Sequence, residues 1–469
     1  MNVKLLTLLA LSIFLINFVS AVSCGDTITT DTTLTGDMLG CAGDGLIIGT
    51  NDIVLDCDGY SIVGVGASNG ITLTGITNVT IENCVVNGFN LGIYFVSSDA
   101  SNTITNNIIS FNNYGIYLDF TSTNNTISNN IVVLNAQDGI DIFVYSSYNN
   151  IINNTVSSNG AYGLFLSDNA FNNNIINNNI SSNGDVGIFL SVSDNNLLEN
   201  NIANLNNNYG IFFTQSNNNT VNDNVVNSNI NGGVRLNDYC LNNIINHNIV
   251  NSNYIGIGVV DYSINNIISN NIVNSNTGDA GIWIYNANSN TIIDNTVELN
   301  SAGIGIYAFP DSSGIIIVRN NVKYNNIGIS LGSGSVGDDV HNNKVTSNSI
   351  YGIYVADTYG NTLYNNFLNN TNNVGVGGTI GANTWNIVQT LGTNIVNGHF
   401  LGGNFYADPT GTGFSETCVS NSDGFCDTAY AMDVNNIDTL PLVFQSLIFS
   451  GGGFGYNTNL SGGFGYNSA

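Results

Sequence analysis

GIYLDFTSTNNTISNNIVVLNAQD, residues 115–138, carries two short signatures: Gly-Ile-x-Leu at 115–118 and Ile-x-Asn-x-Ile at 127–131. Both recur along most of the chain. A glycine followed by an aliphatic residue stands at Gly45, Gly70, Gly92, Gly115, Gly139, Gly163, Gly187, Gly210, Gly233, Gly256, Gly281, Gly305, Gly328, Gly352 and Gly375, with successive spacings of 22 to 25 residues. A fixed period of this size marks a solenoid, whose single repeat cannot bury its own apolar face and stacks on its neighbours. The segments are three to five residues long and alternate with period two, and Asn, Ser, Gly and Thr fill the connections. Helix formers and a leucine-rich pattern are missing. The expectation is therefore an all-β fold: a right-handed, single-stranded parallel β-helix of about 15 rungs of 22–25 residues. Fourteen steps at ~4.8 Å give a rod roughly 70 Å long.

The composition agrees. Charged residues are 8% of the 469, against roughly 25% in an ordinary domain, while apolar residues reach 43%. Formal net charge is -27, and a surface this acidic excludes nucleic acid as a natural partner. Residues 1–21 read as a secretory signal, with Lys4 ahead of an apolar run and Val19-Ser20-Ala21 as a cleavage site. No later run approaches the length of a transmembrane helix. Export permits disulfides. It also permits glycosylation at the sequons Asn78, Asn124, Asn153, Asn179, Asn218, Asn369 and Asn459.

The expected organisation is an N-terminal cap over 22–44, repeats over 45–380, a C-terminal cap over 381–445 and a Gly-rich tail over 446–469 in which GGFGYN occurs twice. Caps are expected because a bare solenoid end exposes unpaired strand edges. Seven cysteines leave one over. Cys24–Cys41 and Cys418–Cys426 are expected bonds. Cys57 and Cys84, close to one rung apart, are placed either to bond or to stack, which leaves Cys240 as a buried free thiol. The middle position of the Asn signature runs Asn83, Asn106, Asn129, Asn154, Asn178, Asn200, Asp223, His247, Asn270, Asn295, Asn320, Asn343 and Asn365. Asn tolerates the left-handed backbone of a tight turn, and its amide can bond to the rungs above and below, so this column reads as a structural ladder.

The rung built from Gly-Ile-x-Leu and Asn-Asn-x-Ile resembles the parallel β-helix repeat of NosD-like proteins and of the related carbohydrate-binding and sugar-hydrolase repeat domains. The ending, Gly403-Asn404-Phe405-Tyr406 and then 423–430 and 438–442, resembles that family's C-terminal pattern. The opening, Cys24-Gly25 through 55–59, resembles secreted archaeal members. The resemblance covers about residues 24–445. It implies the fold, and it implies several functions, because lyases, hydrolases, adhesins and accessory proteins share this architecture.

Chemistry must come from outward positions. The x of Gly-Ile-x-Leu reads Tyr94, Tyr117, Asp141, Phe165, Phe189, Phe212, Arg235, Gly258, Trp283, Tyr307, Ser330 and Tyr354. Its flanking residues point inward, so these point out. Tyr94, Tyr117, Phe165, Phe189, Phe212, Trp283, Tyr307 and Tyr354 would form a stripe suited to stacking on sugar rings, or simply to cross-strand packing. Arg235 breaks the stripe. Asp238 and Asp261 each follow their glycine by five residues and should stack a rung apart, so Arg235, Asp238 and Asp261 are the catalytic candidates. Asn421, Asp423, Asp427 and Asp433 vaguely resemble a Ca²⁺ loop, and Ca²⁺ is the one cofactor the sequence suggests. The copper role implied by the NosD resemblance needs imidazole or soft ligands, and His247, His341 and His399 lie far apart.

These residues favour an exported, non-catalytic secreted or cell-surface protein that binds glycans or cell-envelope components, as an adhesin or structural element. The alternative is a polysaccharide lyase or glycoside hydrolase acting in a groove on the helix. A copper accessory role is the third reading and rests on the resemblance alone.

Overall fold

A computed structural model describes residues 22–300, 303–379 and 381–444. The expected signal segment, the tail with its GGFGYN repeats and the Asn459 sequon lie outside them. The chain coils into a parallel β-solenoid of about 15 turns. One face is a 16-stranded parallel sheet, the second has 15 strands, and the third is two seven-stranded sheets in line. Strands alternate inward and outward, as Tyr114–Leu118 shows: Ile116 and Leu118 are fully buried and Tyr117 between them is half-buried. Each rung adds Ile, Leu or Val to one continuous core that runs from Ile28 to Tyr406.

The third face narrows to isolated bridges at Ile202 and Val225. There the Asn227 and Asn251 amides donate to the side-chain oxygens of Asn204 and Asn227, respectively. A side-chain acceptor has replaced the backbone one that would have continued the sheet.

The corners are held by buried asparagines. In the longest column, Asn107, Asn130, Asn154, Asn178, Asn201, Asn224, Asn248, Asn271, Asn295, Asn320, Asn343, Asn366 and Asn404 follow one another without a break. Each Nδ2 donates to the next Oδ1 at 2.9–3.1 Å. Each Oδ1 also accepts the backbone N–H of the Asn below, as Asn154 does from Asn130 at 2.9 Å. Each Nδ2 donates a second time, to a strand carbonyl of the rung below, as Asn130 does to Ile104. Two further columns turn the other corners, one through Asn102, Asn125 and Asn149 and the other through Asn112, Asn135 and Asn159.

The expected ladder mixed two columns. Asn83, Asn106, Asn129, Asn200, Asp223, His247, Asn270 and Asn365 have φ of 52–56° and bend the chain. Asn154, Asn178, Asn295, Asn320 and Asn343 are the buried amide donors. The bend and the ladder are consecutive residues because a side chain at the left-handed position points away from the interior that the next side chain enters.

Other columns follow the same plan. A buried column of small polar residues includes Ser216, Cys240 and Ser263, and the Cys240 N–H donates to Ser263 Oγ at 3.1 Å. Cys240 is the one free cysteine, its thiol pushed up to about 11 by burial. The other six form Cys24–Cys41, Cys57–Cys84 and Cys418–Cys426. Cys84 is the first step of the long Asn column, since its N–H donates to Asn107 Oδ1 at 2.9 Å, so a covalent link to Cys57 continues that column toward the N-terminus.

The two ends of the coil are built differently. Residues 22–44 are themselves a turn of the coil: Asp26–Ile28, Thr32–Thr33 and Met38–Cys41 pair in parallel with the next rung on all three faces. At the other end Phe405–Ala407 still pairs with Phe367–Asn369. Asn404 and Asn436 extend two of the Asn columns. Trp385, fully buried, donates its Nε1–H to Asn436. Two short antiparallel pairs and one helical turn, Phe414–Thr417, complete this end.

Two outcomes test the columns. Asn224→Ala removes the acceptor of the Asn201 N–H and the donor to the Leu198 carbonyl, both buried. It is expected to cost about 3 kcal/mol or more. Asn129→Ala loses only the ease of a left-handed backbone and is expected to cost about 1–2 kcal/mol. Urea midpoints compare them, and equal losses would refute the division of roles. Asp338 occupies an Asn position, with Oδ1 accepting from Ile315 and Oδ2 buried without a partner. Burial pushes its carboxyl up to about 7. The native state therefore keeps a proton that the unfolded chain releases near pH 4, and stability falls as pH rises from about 4 to 7. Asp338→Asn supplies the missing donor and is expected to stabilise by up to about 4 kcal/mol at pH 8 and little at pH 4. Thermal melts across that range check it.

Candidate functional site

In-register pairing of the 16-stranded sheet stacks the outward positions. Tyr94, Tyr117, Asp141, Phe165, Phe189, Phe212, Arg235, Gly258, Trp283, Tyr307, Ser330 and Tyr354 are successive partners. All eight aromatic members are half-buried, neither fully exposed nor covered. Phe165, Phe189 and Phe212 stand 4.9 and 5.1 Å apart, and Tyr94 and Tyr117 5.9 Å apart. Such pairs stabilise the sheet by about 0.5–1.5 kcal/mol each, so the column packs as well as presents rings.

Sequence reasoning missed a second rank of rings. Phe143 stacks on Tyr117 at 5.2 Å and meets Phe165 edge-on at 5.1 Å, bridging the rung where Asp141 interrupts the column. Tyr285 and Phe309 stand two residues after Trp283 and Tyr307, and Tyr162 and Tyr209 three residues before Phe165 and Phe212. The period-two rule places the +2 residues on the same face, and this signal could have found Phe143, Tyr285 and Phe309.

Asp141 is fully buried beneath these rings, and neither carboxylate oxygen has a hydrogen-bond partner. Burial first, and the nearby Asp138 second, hold its carboxyl well above the usual range.

The column opens into a cleft at Trp283. Asp279, Trp283, Tyr285, Gly303, Ile304, Tyr307 and Phe309 line a cavity of about 430 Å³. The Trp283 and Tyr285 rings are 5.3 Å apart, and Tyr307 stacks on Phe309 at 5.3 Å. Trp283 Nε1 is buried with no acceptor. Burial, with Asp279 and Tyr354 close by, raises the Tyr307 phenol. Two pairs of rings and one carboxylate thus line a single concavity, a surface that suits a ligand with an apolar ring face and hydroxyl edges.

Arg235 lies two rungs below, its guanidinium carbon 5.2 Å from the centre of the Trp283 ring. It reaches there across Gly258, where a Cβ would sit 3.1 Å from its Cδ and 3.3 Å from its Nη1. Asp238 and Asp261 occupy equivalent left-handed turn positions one rung apart, with φ of 53° and 49°. Asp238 accepts from Gln215 Nε2 at 2.8 Å. Asp261 is close enough to favour the charged form of Arg235 against burial, yet no ion pair joins Arg235 to either carboxylate among the described residues.

The candidate Ca²⁺ residues are engaged with their own loops. Asp427 accepts from the backbone and side chain of Asn421, Asp423 from the Phe425 N–H, and Asp433 from Asn435 and Asn436. No group of three His, Cys, Asp or Glu placed to hold a metal occurs among the described residues. Nor do the histidines converge on a copper site, since His247 and His341 stand four rungs apart. His247 Nδ1 is bonded to Asn246. His341 Nδ1 is bonded to Asp339, and its ring is stacked on Tyr364. Cys240 is buried away from both as the only unpaired thiol among the described residues.

The fold and its columns define a parallel β-solenoid with an aromatic-lined face. The chain matches the family described as "Periplasmic copper-binding protein (NosD)" over residues 24–208, 193–333 and 308–411, and belongs to that family. No curated protein matches it. Among solved structures it is similar to the Azotobacter vinelandii mannuronan C-5 epimerase AlgE4 A-module, at 16% identity and a TM-score of 0.42 over 61% of this chain and 86% of that one. It is also similar to the tailspike protein of E. coli bacteriophage HK620, at 10% identity and a TM-score of 0.41 over 77% and 74% of the two chains. A point mutant of the periplasmic alginate epimerase AlgG matches at 16% identity and a TM-score of 0.38 over 66% and 76%.

Asp141→Asn is expected to raise the urea midpoint at pH 8 and to raise it less at pH 5, because an acid held protonated in the native state costs more stability the further the pH lies above the unfolded value. An equal effect at both pH values would show that Asp141 is ionised in the fold.

Proposed function

We propose that this is an exported, non-catalytic carbohydrate-binding protein whose principal sugar subsite is the cleft of Trp283, Tyr285, Tyr307 and Phe309. The observation that carries the reading is the cleft itself: four rings in one cavity, with Asp279 at its wall. Pyranose rings offer a C–H face to aromatic planes and hydroxyls to a carboxylate. The remaining column from Tyr94 to Phe212 would extend contact along a polymer at about one rung spacing.

A non-catalytic role is favoured because Asp279 is the one carboxylate lining the cleft, whereas glycoside hydrolysis commonly uses two. Disulfides and the family's periplasmic description support export. Adhesion or envelope attachment would follow from binding glycans of the cell surface.

Polysaccharide pull-down and calorimetry test the reading. Wild type is expected to bind at least one polysaccharide, and Trp283→Ala to weaken it tenfold or more. Binding that survives Trp283→Ala and Tyr307→Ala unchanged would place the site elsewhere, and release of reducing ends or unsaturated products would refute the non-catalytic role.

A further inference from the structure

Beyond Lys4 the chain has four basic residues, against 32 acidic ones. Arg319 is held by Asp294 through Nε at 2.8 Å and Nη2 at 2.7 Å, and Lys323 pairs with Glu298 at 2.9 Å. Lys344 is exposed on the third face. Arg235 alone of the four stands in the aromatic column, and it makes no ion pair or side-chain hydrogen bond with any described residue. Its Nε is buried and unsatisfied. A half-buried cation without a counter-ion is costly, and this chain offers carboxylates in excess.

Its position is built. Phe212 is its register partner below, Gly258 its partner above, and Trp283 the next above that. The missing side chain at Gly258 is the trough in which the Arg235 stem lies, and the Trp283 face holds the guanidinium at 5.2 Å. The cation–π contact holds the guanidinium without spending its N–H donors on a protein acceptor among the described residues. The same Trp283 lines the sugar cleft. A ligand ring seated there lies within about one sugar's length of a planar, donor-rich cation.

We propose that Arg235 is an anion subsite on the carbohydrate-binding face, taking the carboxylate of an acidic sugar whose neighbouring ring packs at Trp283. The inference rests on the carbohydrate-binding reading and adds the ligand's chemical class. A carboxylate matches the guanidinium fork in two parallel hydrogen bonds. The charge on the glycan is isolated rather than repeated, because a polyuronate would meet the repulsion of a chain with net charge -27, and Asp238, Asp261 and Asp279 stand on the rung of Arg235 and the two above it. The Asp261 carboxylate is the charged group that acts on Arg235. The Gly258 trough makes the assignment specific to this rung, because a Cβ there would press on the Arg235 Cδ and Nη1 at 3.1 and 3.3 Å.

The test uses the full chain and three probes: a neutral xylo-oligosaccharide, the same oligosaccharide carrying one glucuronate branch, and polygalacturonate. Calorimetry is expected to give at least tenfold tighter binding for the singly charged probe than for the neutral one, and weaker binding for the polyuronate than for the singly charged probe. Arg235→Gln is expected to bring the ratio of the first two to about one. Gly258→Ala, which keeps the charge and presses on the Arg235 Cδ and Nη1, is expected to lower the ratio without abolishing it. Equal wild-type affinities for the neutral and singly charged probes, or a ratio that survives Arg235→Gln, would overturn the subsite while leaving the carbohydrate reading in place. If neither oligosaccharide binds, the carbohydrate reading fails and free glucuronate decides the subsite by indole fluorescence, because Trp385, the other tryptophan, is fully buried. A response lost in Arg235→Gln sustains the anion subsite, and no response refutes it.

Discussion

A buried primary amide that bonds to its own copy one rung away is the interaction on which the rest of this molecule depends. Each ladder asparagine accepts from the backbone below, donates to the amide above and donates again to a strand carbonyl. Those groups would otherwise be orphaned at the corners, where the chain leaves one sheet for the next. Because the bond is between identical residues, it constrains the rung to return to the same place each turn. Length variation is therefore confined to the stretches between columns, which is why the period wanders between 22 and 25 residues without losing register.

The same constraint explains the composition. A polar group can be buried along a rod at little cost when every donor and acceptor is met, whereas a charge cannot. Asparagine therefore fills the corners and charged residues fall to 8%. Where an acid does enter a buried column, as Asp338 does, or closes one, as Asp438 does beside Asn404 and Tyr406, its carboxyl is pushed up to about 7. The disulfide Cys57–Cys84 substitutes a covalent link for the amide link at the start of one column.

The functional face is a by-product of this stacking. Rungs held in register force outward residues into lines, and rings about one strand spacing apart pack on one another whether or not they bind anything. What distinguishes the region around Trp283 is a change of side-chain volume within an unchanged backbone. Gly258 empties one place, Arg235 leans into it, and doubled rings at Tyr285 and Phe309 wall a cavity beside it. No new loop or domain is needed to make a recess on a flat sheet.

Period-two alternation and the recurring glycine were enough to read the solenoid, its outward column and the Cys24–Cys41 and Cys418–Cys426 pairs, because each is a spacing in one dimension. Sequence spacing misframed the asparagines, since Asn129 and Asn130 are adjacent and chemically identical while one bends the chain and the other is buried. It did not reveal that 22–44 pair as a rung, because this stretch lacks the glycine signature yet pairs on all three faces. It also grouped Arg235 with Asp238 and Asp261, whereas the guanidinium turns to Trp283, 48 residues on in the chain. By itself, then, the sequence determined the repeat, the core and which residues face outward, since these follow from local periodicity and backbone preference. Only the tertiary structure decided which outward residues meet, because contacts between rungs depend on the volumes and rotamers of side chains that the period brings together but does not choose.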